Sequence, residues 1–181
     1  MTQTVLVTGA ASGLGNVIAR HLLTQGYQVV LTDVDAARAE AAAAELDSNN
    51  VLALGLDIRQ PHDFDAALNA SVARFGSLHV LVNNAALTLA TPVMDIGVDE
   101  FDRVISTNLR GTFVGCQTMG RYFASRGYGR IINLASLAGQ MPATGGDTLY
   151  GPIKSFLIKA SQGLWLETQG TGVHVTALCP G

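Results

Sequence analysis

The stretch from Val5 to Gly15 constrains this chain more than any other. Val5, Leu6 and Val7 form an apolar run of the kind that becomes a buried strand. The run breaks into Gly9, Gly13 and Gly15, and an amphipathic pattern follows at once in Leu14, Val17, Ile18, His21 and Leu22. Strand, glycine turn and helix in that order build a helix N-terminus whose free N–H groups and positive dipole end receive a diphosphate. Each glycine has its own reason: Gly9 for a sharp exit from the strand, Gly13 for close approach of phosphate, Gly15 for tight helix–strand packing. Ser12 and Leu14 stand beside them at the helix entrance.

A chain of 181 residues with 48% apolar side chains fits one domain, 1–181, with a core large enough to cover both faces of a sheet. The net charge of -3, with basic residues scattered along the chain, gives no footprint for nucleic acid. No apolar run is long enough to span a bilayer. The first strand begins almost at the N-terminus, which predicts no signal peptide and a cytoplasmic protein. Cys116 and Cys179 read as reduced core residues. No His, Cys or carboxylate cluster has metal-ligand spacing, so no metal is expected.

A second apolar run, Tyr27 to Thr32, follows Gly26 and ends in Asp33. That acid lies 18 residues after Gly15, about where a dinucleotide site places a carboxylate on the adenosine ribose. A carboxylate there accepts both ribose hydroxyls and repels a 2′-phosphate. The next basic residue is Arg38, so nothing obvious neutralises such a phosphate, and NAD is preferred over NADP. Asp35 is the natural cap for the alanine-rich helix to Leu46, which leaves Asp33 free. Further strands are expected at Val51–Leu56, ending at Asp57 and Ile58, then at His79–Val82, running into Asn83-Asn84-Ala85-Ala86, then at Arg130–Leu134 and Val173–Leu178. Between them lie helices starting at Pro61 and closed by Gly76, from about Asp99 to Arg126, and from about Leu149 to Gln169. Strict alternation predicts an α/β, doubly wound parallel sheet of order 3-2-1-4-5-6 with ligand at the carboxyl ends of the strands. Gly9, Asp33, Asp57, Asn83 and Ser136 all fall at such ends.

Tyr150 and Lys154 stand four residues apart, on one face of a helix. A free tyrosine, with a pKa of about 10, is a poor base near neutrality, and a neighbouring cation favours its phenolate. Lys154 supplies that charge, and Ser136 is placed to hydrogen-bond a substrate oxygen. A Tyr–Lys pair alone is more often a surface pair; its position after a dinucleotide-binding half gives it meaning.

With these residues in place the chain resembles the classical short-chain dehydrogenases/reductases. The matching pieces are Thr8 to Gly15 with G-x3-G-x-G spacing, Asn83-Asn84-Ala85, Asn108, Ser136, Tyr150 with Lys154, and Pro180-Gly181, in family order along the whole chain. The resemblance implies a Rossmann-like fold and an NAD-dependent oxidoreductase that interconverts a secondary alcohol and a ketone. Tyr150 would be the general acid/base, Lys154 would hold the nicotinamide ribose, Ser136 would orient the substrate oxygen, and Asn108 would hold a relay water. Asp57 and Ile58 would contact adenine, Asn83 and Ala85 would underlie the adenosine ribose, and Pro180 and Gly181 would complete the cofactor site. It also implies a homodimer or homotetramer paired through the helix carrying Phe156, Ala160, Gly163 and Leu164. Leu87, Leu137, Gln140, Met141 and Asp147 are placed to face substrate. A non-catalytic nucleotide-binding or interaction module on the same fold, or an inactive fragment of the enzyme, is the alternative. A P-loop is excluded because no Gly-Lys-Ser/Thr follows the glycines.

Three departures from the family pattern stand out. Ala86 replaces a usual glycine and requires a negative φ. Pro152, between Tyr150 and Lys154, belongs in a first helical turn, so the helix should begin just before Tyr150, capped by Thr148. The chain stops at Gly181, before the family's usual substrate-covering segment and seventh strand; the expectation is an exposed sixth strand and an unroofed nicotinamide pocket.

Overall fold

The computed structural model describes residues 2–88, 91–142 and 148–181. Six parallel strands form one sheet in the order β3-β2-β1-β4-β5-β6. They are β1 (Thr4–Val7), β2 (Gln28–Asp33), β3 (Val51–Gly55), β4 (Val80–Asn83), β5 (Gly129–Leu134) and β6 (Val173–Leu178). The predicted architecture and strand order are those observed. β1 and β4 are buried along their whole length, which is why their sequences are unbroken apolar runs. Among the described residues β6 pairs with β5, and it alternates buried Val173 and Val175 with exposed His174 and Thr176, the pattern of a strand covered on one face.

Alternate residues of each strand feed two cores. One face packs Val5, Val7, Val29 and Leu31 against Ala19 of α1 (Gly13–Thr24) and Ala39 and Ala42 of α2 (Ala36–Ala44). The alanines of α2 let that helix lie close to the sheet. The other face packs Leu6, Val30, Leu81 and Ile131 against Phe64 of α3 (Pro61–Phe75) and Val114, Met119 and Phe123 of α5 (Thr112–Arg126). Leu164 of α6 (Tyr150–Glu167) joins this second core.

One predicted helix is divided. The stretch from Asp99 to Arg126 is helical throughout, yet it runs as α4 (Val98–Ile105), a π-helical segment (Ser106–Gly111) and α5. The wider turn carries Asn108 into the interior, where it is 3% exposed. The start of α6 is also corrected. The helix begins at Tyr150 with Pro152 in its first turn, as expected, but the flanking residue is Leu149, with no side-chain cap. The Leu149 carbonyl accepts the Ile153 N–H at 3.0 Å, and Thr148 lies one residue further out. Ala86 has no positive φ, so its methyl group is accommodated.

Phe64 is completely buried between α3, α5 and the sheet, and one ring edge meets the backbone of Gly115. Phe64→Ala is expected to cost about 3–5 kcal/mol of stability, read as a lowered midpoint in urea unfolding.

Candidate active site

The carboxyl ends of β1 and β4 are stitched together by side chains. Thr8 Oγ1 accepts the backbone N–H groups of Asn84 (3.0 Å) and Ala85 (3.1 Å) and donates to the Val82 carbonyl. Asn84 Nδ2 donates to the carbonyls of Thr8 (2.9 Å) and Gly9 (3.1 Å). The glycine turn is therefore held from behind by the 84–88 loop. Gly9 has φ +63°, and a Cβ there would sit 2.8 Å from Ala85 Cα. Gly15 lies so close to the Gly9 carbonyl and the Asn84 amide that a side chain has no room. Gly13, also at positive φ, faces open space at the mouth. Sequence reasoning gave Thr8 and Asn84 no role; both stand in the quoted motifs, but only the fold shows that their side chains join two loops.

A cleft of about 670 Å³ opens in front of this turn. Of the predicted cofactor residues, Gly9, Ser12, Gly13, Leu14, Asp33, Asp57, Ile58 and Ala85 line it. Asp33 is 8% exposed; its carboxylate accepts the N–H groups of Ala11 and Asp35, each at 3.3 Å. Asp35 caps α2 by accepting the Arg38 N–H, as expected. Asp57 forms a two-pronged ion pair with Arg59, at 2.9 Å (Nε–Oδ1) and 2.7 Å (Nη2–Oδ2). The Arg59 guanidinium holds the Asp57 carboxyl below its ordinary range, and the carboxylate in turn raises Arg59.

Asn83 is placed differently from the loop role expected of it. It ends β4, and its side chain points to the opposite side of the sheet, into a buried polar chain. Asn83 Nδ2 donates to Asn133 Oδ1 (2.8 Å) and Cys116 Sγ (3.5 Å), Cys116 Sγ donates to Asn133 Oδ1, and Asn133 Nδ2 donates to Ser161 Oγ (2.9 Å). Burial pushes the Cys116 thiol up to about 11. Among the described residues no buried side-chain nitrogen or oxygen lacks a partner.

The catalytic candidates gather at the carboxyl end of β5. Lys154 is 6% exposed, and its Nζ donates to the Leu134 carbonyl at 2.6 Å. The same ammonium lies 5.5 Å from the Tyr150 ring centroid. Burial lowers the pKa of Lys154. Ser136 follows β5 and caps a short 3-10 turn, Leu137–Gly139, through the Ala138 N–H. That turn sits directly on α6: a Cβ on Gly139 would meet the Lys154 and Ser155 backbone at 2.7 Å, and Ser155 Oγ donates to the Gly139 carbonyl. Pro180 ties the end of β6 to the same turn by accepting the Leu137 N–H at 2.9 Å, with exposed Gly181 beyond it. Asn108 holds the cleft loop from the π segment. Its Oδ1 accepts the Leu87 N–H (2.7 Å) and its Nδ2 donates to the Leu87 carbonyl (2.8 Å), so the π segment clamps the loop that lines the cleft. Leu137 and Met141 are exposed beside the turn, whereas Asp147 lies outside the described residues.

The sequence profile of the short chain dehydrogenases matches residues 3–181. The chain belongs to that family. It is an oxidoreductase of the short-chain dehydrogenase type with an NAD(P)-binding Rossmann fold. It is 38% identical to 4-formylbenzenesulfonate dehydrogenase TsaC1/TsaC2 of Comamonas testosteroni, over 98% of this chain and 71% of that protein. It is 37% identical to the 2-dehydro-3-deoxy-L-rhamnonate dehydrogenase (NAD(+)) of a Sphingomonas strain, over 97% of this chain and 70% of that one. A crystal structure of 3-ketoacyl-(acyl-carrier-protein) reductase from Brucella melitensis complexed with NADH superposes with a TM-score of 0.91 at 31% identity, covering 98% of this chain and 75% of that one. The chain thus spans about seven tenths of these relatives' length. No described helix is long and apolar enough to cross a membrane, and no described group of His, Cys, Asp or Glu has the makings of a metal site.

Because the folded Asp57 carboxyl lies below its unfolded value, its pair with Arg59 stabilises fully above the ordinary carboxylate pKa of about 3.9. That contribution is lost as pH falls through the lower folded value. Arg59→Ala should move the carboxyl titration of Asp57, followed by 13C NMR, up toward the ordinary range. An unmoved titration would show that Arg59 is not what holds it down.

Proposed function

We propose that this short-chain dehydrogenase interconverts a secondary alcohol and a ketone with NAD(H), using Tyr150 as general acid/base. The observation that carries the reading is the buried Lys154 ammonium, anchored on the Leu134 carbonyl and lying against the Tyr150 ring. Gly9, Ser12, Gly13, Leu14, Asp33, Asp57, Ile58 and Ala85 hold the dinucleotide, with Pro180 and Gly181 at its nicotinamide end. Gly15 and Asn83 contribute through packing behind the cleft. The bound dinucleotide supplies or accepts the hydride.

The chain's own residues handle the proton. In alcohol oxidation the Tyr150 oxygen takes the hydroxyl proton as the carbon gives up its hydride; in ketone reduction it returns that proton to the carbonyl oxygen. Lys154 stabilises the phenolate that Tyr150 presents before it takes that proton and becomes again once it has returned it. The Ser136 hydroxyl, its oxygen already accepting the Ala138 N–H, keeps its proton for the substrate oxygen. Asn108, held on Leu87 through both side-chain atoms, fixes the loop that lines the cleft and keeps a second amide N–H and a second carbonyl lone pair for the relay water. Asp33 at the ribose corner supports NAD as the preferred form. The NAD(+) in one relative's name and the NADH in the Brucella structure point the same way. Two free cysteines suit a reducing, cytoplasmic setting.

A groove of about 500 Å³ between α5 and α6 is lined by Phe113, Phe156, Leu157, Ala160, Gly163 and Leu164. Phe113 is 55% and Phe156 40% exposed, more apolar surface than a helix pair leaves open without use. A second copy packed on this face makes the dimer. Sedimentation at micromolar concentration should show at least a dimer, with Phe156→Glu shifting it to monomer; a monomeric parent would end this part of the reading.

Tyr150→Phe should lower kcat by at least about 10²-fold on any alcohol that the parent oxidises. NADH affinity, read by fluorescence titration, should stay within about twofold. Parent-like turnover by this variant would remove Tyr150 from the acid/base role.

A further inference from the structure

Two consecutive residues of α6 reach out of their own helix and bond to the chain on either side of Ser136. Lys154 Nζ holds the Leu134 carbonyl, two residues before Ser136. Ser155 Oγ donates to the Gly139 carbonyl at 2.5 Å, three residues after it. A serine inside a helix commonly returns its proton to the carbonyl four residues back, as Ser161 does with Leu157 in this same helix. Ser155 gives its proton to the turn instead.

The turn between those two anchors closes on itself. Ser136 Oγ accepts the Ala138 N–H at 3.2 Å, and the Gly139 N–H donates to the Ser136 carbonyl at 3.0 Å. Its first and last residues thus form one unit, and a displacement of Gly139 carries Ser136 with it. The end of β6 holds the unit through the Leu137 N–H on the Pro180 carbonyl and through the longer contact of Gln140 Nε2 with Cys179 Sγ, at 3.6 Å. Helix α6 holds it through the Ser155 hydroxyl and through bare Gly139, where a Cβ would lie 2.7 Å from the Ser155 nitrogen. Gly139 permits the approach, and the Ser155 hydroxyl fixes its direction.

We propose that Ser155 is a positioning residue for the Ser136 hydroxyl: by fixing Gly139 it sets the point from which Ser136 donates to the substrate oxygen. This rests on the acid/base reading given above. Ser155 acts through Ser136 and not on the substrate itself, and the neighbouring Lys154 is anchored independently on Leu134. A donor shifted away from the oxygen that gains charge loses much of its worth in the transition state, while cofactor binding in the ground state is left alone. Loss of the Ser155 hydroxyl therefore falls on kcat.

The test is a double-mutant cycle between Ser136 and Ser155. NAD reduction is followed with 2-butanol, cyclohexanol and 1-phenylethanol, and the alcohol that the parent oxidises fastest is carried through the series. Alanine is the better helix former, so Ser155→Ala should keep the fold, and thermal melts check each variant. Ser155→Ala should lower kcat about tenfold and leave NADH affinity, read by fluorescence titration, within about twofold. Ser155→Thr, which keeps a hydroxyl, should recover to within about threefold of the parent. Ser136→Ala should lower kcat about 10²-fold, and adding Ser155→Ala to it should cost less than about twofold more. An equal loss in both backgrounds, a parent-like kcat in Ser155→Ala, or a loss that Ser155→Thr leaves uncorrected would overturn the role of Ser155 and leave the acid/base reading standing. A parent that oxidises none of the three alcohols, or a Ser136→Ala variant with parent-like kcat, would overturn that reading, and this proposal with it.

Discussion

A buried ammonium group sets the geometry on which the rest of the site depends. Removing Lys154 from water is costly, and burial accordingly lowers its pKa. The Leu134 carbonyl and the Tyr150 ring offset that cost from two directions. The same contacts fix the first turns of α6 to the end of β5. Gly139 then brings the turn after Ser136 against the α6 backbone at a distance that no side chain would permit. Pro152 gives up a backbone donor only where a first turn has donors to spare. The turn after Ser136 and the first turns of α6 are thus set against each other by packing.

The other half of the site is held by neutral hydrogen bonds and decorated by charge. Thr8 and Asn84 bind the glycine turn to the 84–88 loop, and Asn108 binds that loop to the π segment. Around this frame stand Arg38, Arg59 and Arg103 with Asp33 and Asp57, and Arg59 is paired with Asp57.

The sheet was legible because both of its faces are covered. Central strands under such cover must be continuously apolar, so Val5–Val7, Val29–Leu31 and Val80–Val82 announce themselves. The glycine turn and the Tyr150–Lys154 spacing were legible for a similar reason: each is local, and the local conformation dictates the residue type. What escaped depends on where a side chain points after the chain has folded. One widened turn within a helix leaves the apolar period nearly unchanged, so the π segment that buries Asn108 has no signature of its own. Asn83 and Asn84 are identical in type, but the strand pleat sends one to each side of the sheet. Arg38 is five residues past Asp33 along the chain and yet shares its pocket, because a helix start folds that distance back on itself.

The buried chain of Asn83, Cys116, Asn133 and Ser161 has a direction. The amide of Asn83 and the thiol of Cys116 both give protons to the Asn133 oxygen, Asn133 passes its own amide proton to Ser161, and Ser161 ends the series on the Leu157 carbonyl. Burial pushes the Cys116 thiol up and so favours the protonated form that donates in that series. The four side chains are linked in one continuous series. That series ties β4, β5, α5 and α6 to one another without any ionic contact, beneath the face where a second copy would rest.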